Sequence, residues 1–420
     1  MTSPHAPAAP VPDGDAVDRL IRQVAMDEGA VDGCPCDLVV VGDHTGALTA
    51  WALQITAEHA DAVVLSHHTS SARAHALADA HPDAIRSRRL RVAGLPGPDG
   101  TVVPASLSDA LTGLSPHAVL ARLPRSLRAL RTIARDLARA ARAAGRTDVT
   151  LVAGGRVKHM TRSQNAALEL GFDEVHASRG RGSARCLVAS SPREDVTADA
   201  PHQHPSHVAS ADPELVPEFV ETAQVSVTVR GTPRTIALAA VGGVFSGAKP
   251  DHGSLLMLRA LDASLPEEVD PALEKDGVHL VDLGSGNGLV AAYLASTFPT
   301  ALITASDDDL DAVASTRATL AALDFPERPA GRLRIDWDDA LSTLEAGSAD
   351  LVMLNPPFHD GPRVDPTIVH GLLDAAARVL RPGGSLWFVH NSHLRYRAEV
   401  ERRVGPVTER ARDRRFTVLS

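Results

Sequence analysis

HLVDLGSGNGLVAAYLA, His279 to Ala295, is the stretch that decides the fold of the second half of this 420-residue chain. An apolar strand ends at Asp282 and Leu283, and Gly284, Gly286 and Gly288 then form a tight turn directly before a helix. Without a Cβ, those glycines let the backbone approach a ligand closely where the helix N–H groups begin. The spacing is Gly-x-Gly-x-Gly, unlike the Gly-x-Gly-x-x-Gly of dinucleotide folds, and an acid precedes it at the strand end. Further strands are expected over residues 301–305, 333–336, 350–354 and 384–390, with helices over 288–297, 310–323 and 367–380. This alternation predicts a doubly wound α/β sheet over residues 221–420, entered through a hairpin over 224–240 that turns at Arg230-Gly231-Thr232-Pro233.

The first half repeats the pattern more faintly. Residues 36–41 form an apolar run ending in Gly42-Asp43-His44-Thr45-Gly46, followed by a helix over 47–58 and a strand over 62–66, a βαβ unit. Strands over 118–123 and 149–153 flank a long helical pattern over 124–144. Between the halves lies a segment rich in Pro, Ser, His and Asp, and the N-terminus is rich in Pro and Ala. The expected organisation is a disordered tail (1–15), an α/β domain (16–190), a linker (191–220) and a second α/β domain (221–420). His202, His204 and His207 in the linker have no Cys or paired carboxylates around them, so no metal site is expected. Three cysteines cannot build a disulfide framework, no apolar run is long enough to span a membrane, and the reading is cytoplasmic.

Two further motifs carry chemistry. The strand over 301–305 runs into Ser306-Asp307-Asp308-Asp309, where Asp307 is placed to accept both hydroxyl hydrogens of a ribose. Asp339, in Asp338-Asp339-Ala340, sits where an adenine amino group would lie. After the strand over 350–354 comes Asn355-Pro356-Pro357-Phe358. The prolines fix the backbone, so the Asn355 side-chain oxygen and the Pro356 carbonyl present two acceptors suited to a planar exocyclic amine, and Phe358 offers a ring for stacking. Such a site suits a nucleophilic nitrogen that receives a methyl group from S-adenosylmethionine.

VDLGSGNG, SDDDLDAVASTR, LNPPFHDG, VLRPGGSLWFVHNSHLRY and RRFTVLS resemble the class I methyltransferases of the RsmC/RlmG type, which methylate the exocyclic N2 amine of guanine in ribosomal RNA. GGVFSGAKPDHGS (242–254) is similar to the family's roof over the cofactor. VVVGDHTGAL and VLARLPRSLRALRTIARDLARAA resemble its first domain, a degenerate duplicate without cofactor binding. The resemblance implies two tandem Rossmann-like methyltransferase domains, of which the C-terminal one is catalytic. It implies cofactor contacts at Asp282, Gly284, Gly286, Gly288, Asp307 and Asp339, and base contacts at Asn355, Pro356, Pro357 and Phe358. His359 and Asp360 belong to the extended motif without an assigned role.

The same tetrad serves protein glutamine-N5 and DNA or RNA adenine-N6 methyltransferases. The glutamine enzymes usually carry Tyr where Phe358 stands and a small helical first domain, and the DNA enzymes a separate target-recognition domain that is missing from this sequence. A reading of another class is a non-catalytic RNA-binding factor, against which the intact turn and tetrad argue. The first domain leans towards the branch acting on the large-subunit 23S RNA, with small-subunit 16S RNA the other candidate. Net charge is −10, which speaks against bulk nucleic-acid coating. Residues 86–185, however, carry 18 Lys plus Arg against seven acids, a local +11, leaving −21 for the rest. Within that block Arg125, Arg128, Arg131, Arg135, Arg139, Arg142 and Arg146 recur every three or four residues along one helix face, and the first five are the candidate contacts to ribosomal RNA or a ribosomal subunit.

Overall fold

Near-continuous apolar strands require cover on both faces of their sheet, and this chain meets that requirement twice. The computed structural model describes residues 12–32, 36–59, 61–194, 220–265, 269–273, 277–323, 331–357 and 366–420. They fall into two units divided between Pro205 and Ser206. In the first, β1 (Asp37–Val41), β2 (Val64–His67), β3 (Leu90–Val92), β4 (Pro116–Arg122), β5 (Thr150–Arg156), β6 (Phe172–Ala177) and β7 (Ala184–Pro192) form one sheet ordered β3-β2-β1-β4-β5-β7-β6. All pairings are parallel except those of β7, which is antiparallel to β5 and β6.

The second unit begins with a two-stranded hairpin, β8 (Glu221–Val229) and β9 (Thr232–Ala240). Its sheet contains β10 (His279–Leu283), β11 (Leu302–Asp307), β12 (Leu333–Trp337), β13 (Ala349–Leu354), β14 (Leu380–Asn391), β15 (Glu409–Arg412) and β16 (Phe416–Leu419) in the order β12-β11-β10-β13-β14-β16-β15. The order is that of the first sheet, so the expected pair of doubly wound sheets is present. Side chains alternate between two cores: Leu280, Leu351, Met353, Trp387 and Val389 pack on one face, and Val281, Leu283, Val352, Leu354, Leu386 and Phe388 on the other. That two-residue alternation buries both faces of the central strands.

Several boundaries differ from the sequence reading. The hairpin turns at Arg230-Gly231 alone, both with positive φ (50° and 73°), and Thr232 and Pro233 already pair within β9. A two-residue turn of this kind matches the natural strand twist. The long helix of the first unit spans Leu127–Ala143 and not 124–144, because the Ser126 side chain accepts the Ala129 N–H at its start. A helix over His252–Ser264, capped by Asp251, was not anticipated. Residues 1–11 of the expected tail and 195–219 of the expected linker, with its histidines, lie outside the described residues. Asp15 caps the helix Ala16–Asp27. Cys186 is free and buried, and Cys36 is disulfide-bonded.

Both glycine turns end on a left-handed glycine at the helix start, Gly46 (φ 76°) and Gly288 (φ 80°). A Cβ on Gly46 would meet Leu77 Cδ1 at 3.7 Å, an ordinary contact, whereas one on Gly288 would lie 2.9 Å from the Thr316 backbone. Gly46→Ala therefore carries only the conformational cost, about 1–2 kcal/mol. Gly288→Ala adds a backbone clash and is expected to cost at least twice as much, read as the shift in each unit's urea-unfolding midpoint.

Candidate active site

In an open parallel sheet the strand order reverses at one place, and the chain ends there leave a crevice for a ligand. In the second unit that place lies between β10 and β13. Leu283, last in β10, pairs with Leu354, last in β13, and with Ser306 near the end of β11. The next residues, Gly284, Asn355 and Asp307, therefore emerge side by side at the carboxyl ends of the central strands.

The glycine turn is held from below and from the side. Asp282 is 3% exposed, and its Oδ2 accepts the Ala291 N–H of the following helix at 2.9 Å. Burial, and secondarily the charge of Asp307, pushes its carboxyl up to about 7. Gly284 and Gly286 have φ of 80° and 53°. A Cβ on Gly286 would project into open space, and one on Gly284 would come no nearer than 4.0 Å, to the Asn355 carbonyl. Asp307 Oδ2 accepts the Gly286 N–H and Oδ1 accepts the Asp309 N–H, each at 2.9 Å. This aims the carboxylate beside the turn and leaves each oxygen a further lone pair. Burial pushes Asp307 up to about 6. Burial also pushes Asp309, the cap of helix Leu310–Ala321, up to about 7, with the charges of Asp311 and Asp307 adding.

The two acids after β12 divide their roles. Asp338 is buried and bonded to the Ser342 hydroxyl and to both the N–H and the hydroxyl of Thr343 (3.0 and 2.9 Å), so it braces its own loop. Asp339 is exposed. After β13, Asn355 Nδ2 donates to Asp251 Oδ2 and to Ser254 Oγ, both at 2.8 Å. Both amide hydrogens are thereby used, and Oδ1 has no hydrogen-bond partner among the described residues. Pro356 is buried and Pro357 exposed. Phe358, His359 and Asp360 lie outside the described residues.

Sequence reasoning missed the side chains that hold the site together. Asn287 Nδ2 donates to the Gly247 and Lys249 carbonyls (3.0 and 3.1 Å), tying segment 242–254 to the glycine turn. Thr316 Oγ1 bonds Ser285 Oγ and the Gly286 carbonyl (2.9 and 3.1 Å), and Thr319 Oγ1 bonds the Asn287 carbonyl at 2.7 Å. The one local signal that could have marked Asp251 and Ser254 is Asp251 itself, an N-cap residue type directly before helix His252–Ser264.

The first unit shows what became of the same positions. Val41 pairs with Ala121 and His67 as Leu283 pairs with Leu354 and Ser306, so register equates Arg122 with Asn355, His68 with Asp307, His44 with Gly286 and Val40 with Asp282. Asp43 Oδ2 accepts the Thr49 N–H at 2.8 Å, replacing the Asp282 anchor. Arg122 is paired with Asp15 (2.7 Å) and the fully buried Asp18 (2.6 Å). Burial, with the neighbouring Arg73, pushes His44 and His68 down to about 4. A cation stands at the position equivalent to Asn355 and a neutral imidazole at the position equivalent to Asp307.

On helix Leu127–Ala143 the buried side is Leu130, Ala134, Leu137, Ala138 and Ala141. Arg125, ahead of the Ser126 cap, and Arg146, beyond the helix, do not share its face as expected, because the helix runs only from Leu127 to Ala143; Arg125 and Arg131 are exposed, and Arg128, Arg135 and Arg139 are half-buried. Arg142 instead donates to the Arg193 carbonyl at 3.2 Å, and Arg146 pairs with Asp148 at 2.8 Å. Among the described residues no group of three or more His, Cys, Asp or Glu side chains is placed to hold a metal, and no helix is long and apolar enough to cross a membrane.

Residues 13–194 match the RLMG N-terminal domain and residues 235–420 the Methyltransferase small domain. The chain is 33% identical over 213 residues to "Ribosomal RNA large subunit methyltransferase G" of Shewanella amazonensis, covering 47% of this chain and 52% of the relative. It is 37% identical over 177 residues to the protein of the same name in Streptomyces coelicolor, covering 42% and 43%. The chain thus spans about half the length of these curated relatives. The structure of the T. thermophilus 16S rRNA N2 methyltransferase RsmC in complex with AdoMet and guanosine aligns with a TM-score of 0.66 over 98% of this chain and 96% of that one, at 21% identity, a shared two-domain fold. By its two domains in this order, the chain belongs to the RsmC/RlmG type: an RLMG N-terminal domain followed by a methyltransferase small domain.

Proposed function

We propose that this chain is an S-adenosylmethionine-dependent methyltransferase acting on the exocyclic N2 amine of a guanine in ribosomal RNA, in the cytoplasm. The observation that carries the reading is Asn355, whose amide hydrogens are both held by Asp251 and Ser254 so that Oδ1 remains as an acceptor, next to a glycine turn open enough for a ligand. The names of the curated relatives favour large-subunit 23S RNA over 16S RNA.

The residues present fit the cofactor. A Cβ at Gly286 would occupy open space, the cradle expected for a ligand lying on the turn, and the doubly anchored Asp307 carboxylate has lone pairs for two ribose hydroxyls. Gly284, Gly286 and Gly288 would border the amino-acid tail, with exposed Asp339 at the adenine end. When bound, the cofactor supplies an electrophilic methyl group on a sulfonium. Asn355 Oδ1 and the Pro356 carbonyl accept the two amine hydrogens, which draws the nitrogen towards a tetrahedral shape with its lone pair free. Phe358 stacks on the base. No strong base is needed, because the nitrogen becomes acidic as it forms its new bond. In the first unit, Arg125, Arg128, Arg131, Arg135 and Arg139 contact RNA phosphates.

Deleting the gene should remove one N2-methylguanosine from the rRNA nucleosides seen by mass spectrometry, and Asn355→Ala should abolish transfer while cofactor affinity in calorimetry stays within a few-fold. An unchanged nucleoside profile would refute the substrate assignment. The acids give a second outcome. With folded values raised to about 7 at Asp282 and about 6 at Asp307, the free protein prefers them protonated, so their stabilising contribution is complete below about pH 4 and is lost as pH rises through 6 and 7. Cofactor binding needs Asp307 ionised. Cofactor affinity should therefore rise from pH 5 to pH 8, and Asp307→Asn should flatten the affinity curve. Reversing Arg125, Arg128 and Arg131 to Glu should lower the salt slope of RNA binding by about three or more.

A further inference from the structure

An asparagine amide can be rotated by 180° at almost no steric cost, exchanging its oxygen for its NH2 group. Whether Asn355 offers the crevice an acceptor or a donor therefore depends on its neighbours. Asp251 Oδ2 accepts two hydrogens, from the Ser254 N–H and from Asn355 Nδ2, each at 2.8 Å. The first of these bonds is the cap of helix His252–Ser264, so the carboxylate is fixed by the helix start and not by Asn355. Ser254, only 7% exposed, adds a second oxygen at 2.8 Å. A flipped amide would turn its carbonyl onto the Asp251 carboxylate, acceptor against acceptor, and would present hydrogens to an amine that also carries hydrogens.

We propose that Asp251, assisted by Ser254, is a positioning residue that locks the Asn355 amide with Oδ1 towards the substrate, so that the site selects a hydrogen-bond donor such as an exocyclic amine. The proposal rests on the reading that Asn355 receives the target amine. Asp251 lies 104 positions from Asn355 in the chain and enters the chemistry only through it.

Asp251→Ser and Asp251→Asn separate positioning from folding. Serine caps a helix about as well as aspartate, but its shorter side chain does not reach Asn355; asparagine keeps an oxygen at the right length. With wild-type thermal stability in both, Asp251→Ser is expected to lower kcat about ten- to a hundredfold. Its KM for RNA and its cofactor affinity should stay within a few-fold, and Asp251→Asn should recover most of kcat. The amide is also observable without substrate, because the chain has four asparagines, Asn165, Asn287, Asn355 and Asn391. With ¹⁵N-asparagine labelling and Asn355→Ala to assign the signal, the Asn355 NH2 hydrogens should exchange slowly with solvent in the wild type and at least about tenfold faster in Asp251→Ser, since that variant removes one of their two acceptors. Wild-type kcat together with an unshifted, equally protected amide in Asp251→Ser would overturn the proposal. If the wild type transfers no methyl group to guanine in RNA, the functional reading fails, while the amide exchange still decides whether Asp251 sets the orientation.

Discussion

The close approach of Gly288 to the Thr316 backbone, where a Cβ would come within 2.9 Å, sets the glycine turn against helix Leu310–Ala321 at the carboxyl ends of the second unit's central strands. Because no side chain intervenes, helix Leu310–Ala321 lies directly on the glycine turn, and its polar face can do two jobs. Thr316 and Thr319 bond the turn itself. Asp311, Ser315 and Thr319 take the N–H groups of Gly243, Val241 and Ala239 (2.6, 2.9 and 2.8 Å). The segment leading from the hairpin is thus pinned to the helix that supports the turn, and Asn287 pins it again at Gly247 and Lys249. Buried polar groups are costly unless paired, so this connected set specifies one arrangement of turn, helix and covering segment.

The two units separate what the fold needs from what the chemistry needs. Both retain a left-handed glycine at the helix start and a carboxylate bonded to the N–H of the third helical residue, Thr49 or Ala291. Those features belong to building a strand, turn and helix. The first unit supplies the carboxylate from Asp43 in the turn, whereas the second supplies it from Asp282 in the strand. This leaves Val40 free to be apolar and the turn free to carry His44. At the ends of the neighbouring strands the units also differ, with Arg122 for Asn355 and His68 for Asp307. Arg122 pairs with two acids at the start of helix Ala16–Asp27, the cap Asp15 and the fully buried Asp18, so this position is part of the unit's internal bonding.

Legibility in the sequence followed the range of the interactions. The central strands and the glycine turns are encoded within a few consecutive residues, and they appear within a few residues of the expected places. The antiparallel strands β6 and β15 were not readable because they are short and polar: only Phe172 of β6 is buried, and β15 reads ERAR. Their pairing is decided by β7 and β16, not by their own pattern. At the site, the residue types were legible but their division of labour was not. Asp338 and Asp339 are adjacent in sequence, yet one is wholly engaged with Ser342 and Thr343 and the other faces solvent. The bond that orients Asn355 crosses 104 positions, beyond the reach of any local pattern.

The same distinction bears on charge. The +11 of residues 86–185 counts every arginine alike, but an arginine bonded within its own unit is not an arginine free to meet a phosphate. Arg122 balances Asp15 and Asp18, Arg89 donates to the Leu53 carbonyl at 2.5 Å, Arg142 holds the chain after β7, and Arg146 pairs with Asp148. Ion pairs cancel much of each other's field beyond a Debye length of about 8 Å at physiological salt. The effective basic surface is therefore smaller than the count: Arg125 and Arg131 are exposed near the start of the arginine-rich helix, and Arg156, Lys158, Arg162, Arg179, Arg181 and Arg185 are exposed after it. A spacing of three or four residues identifies a helix face, but burial and bonding decide which cations on that face remain available for recognition.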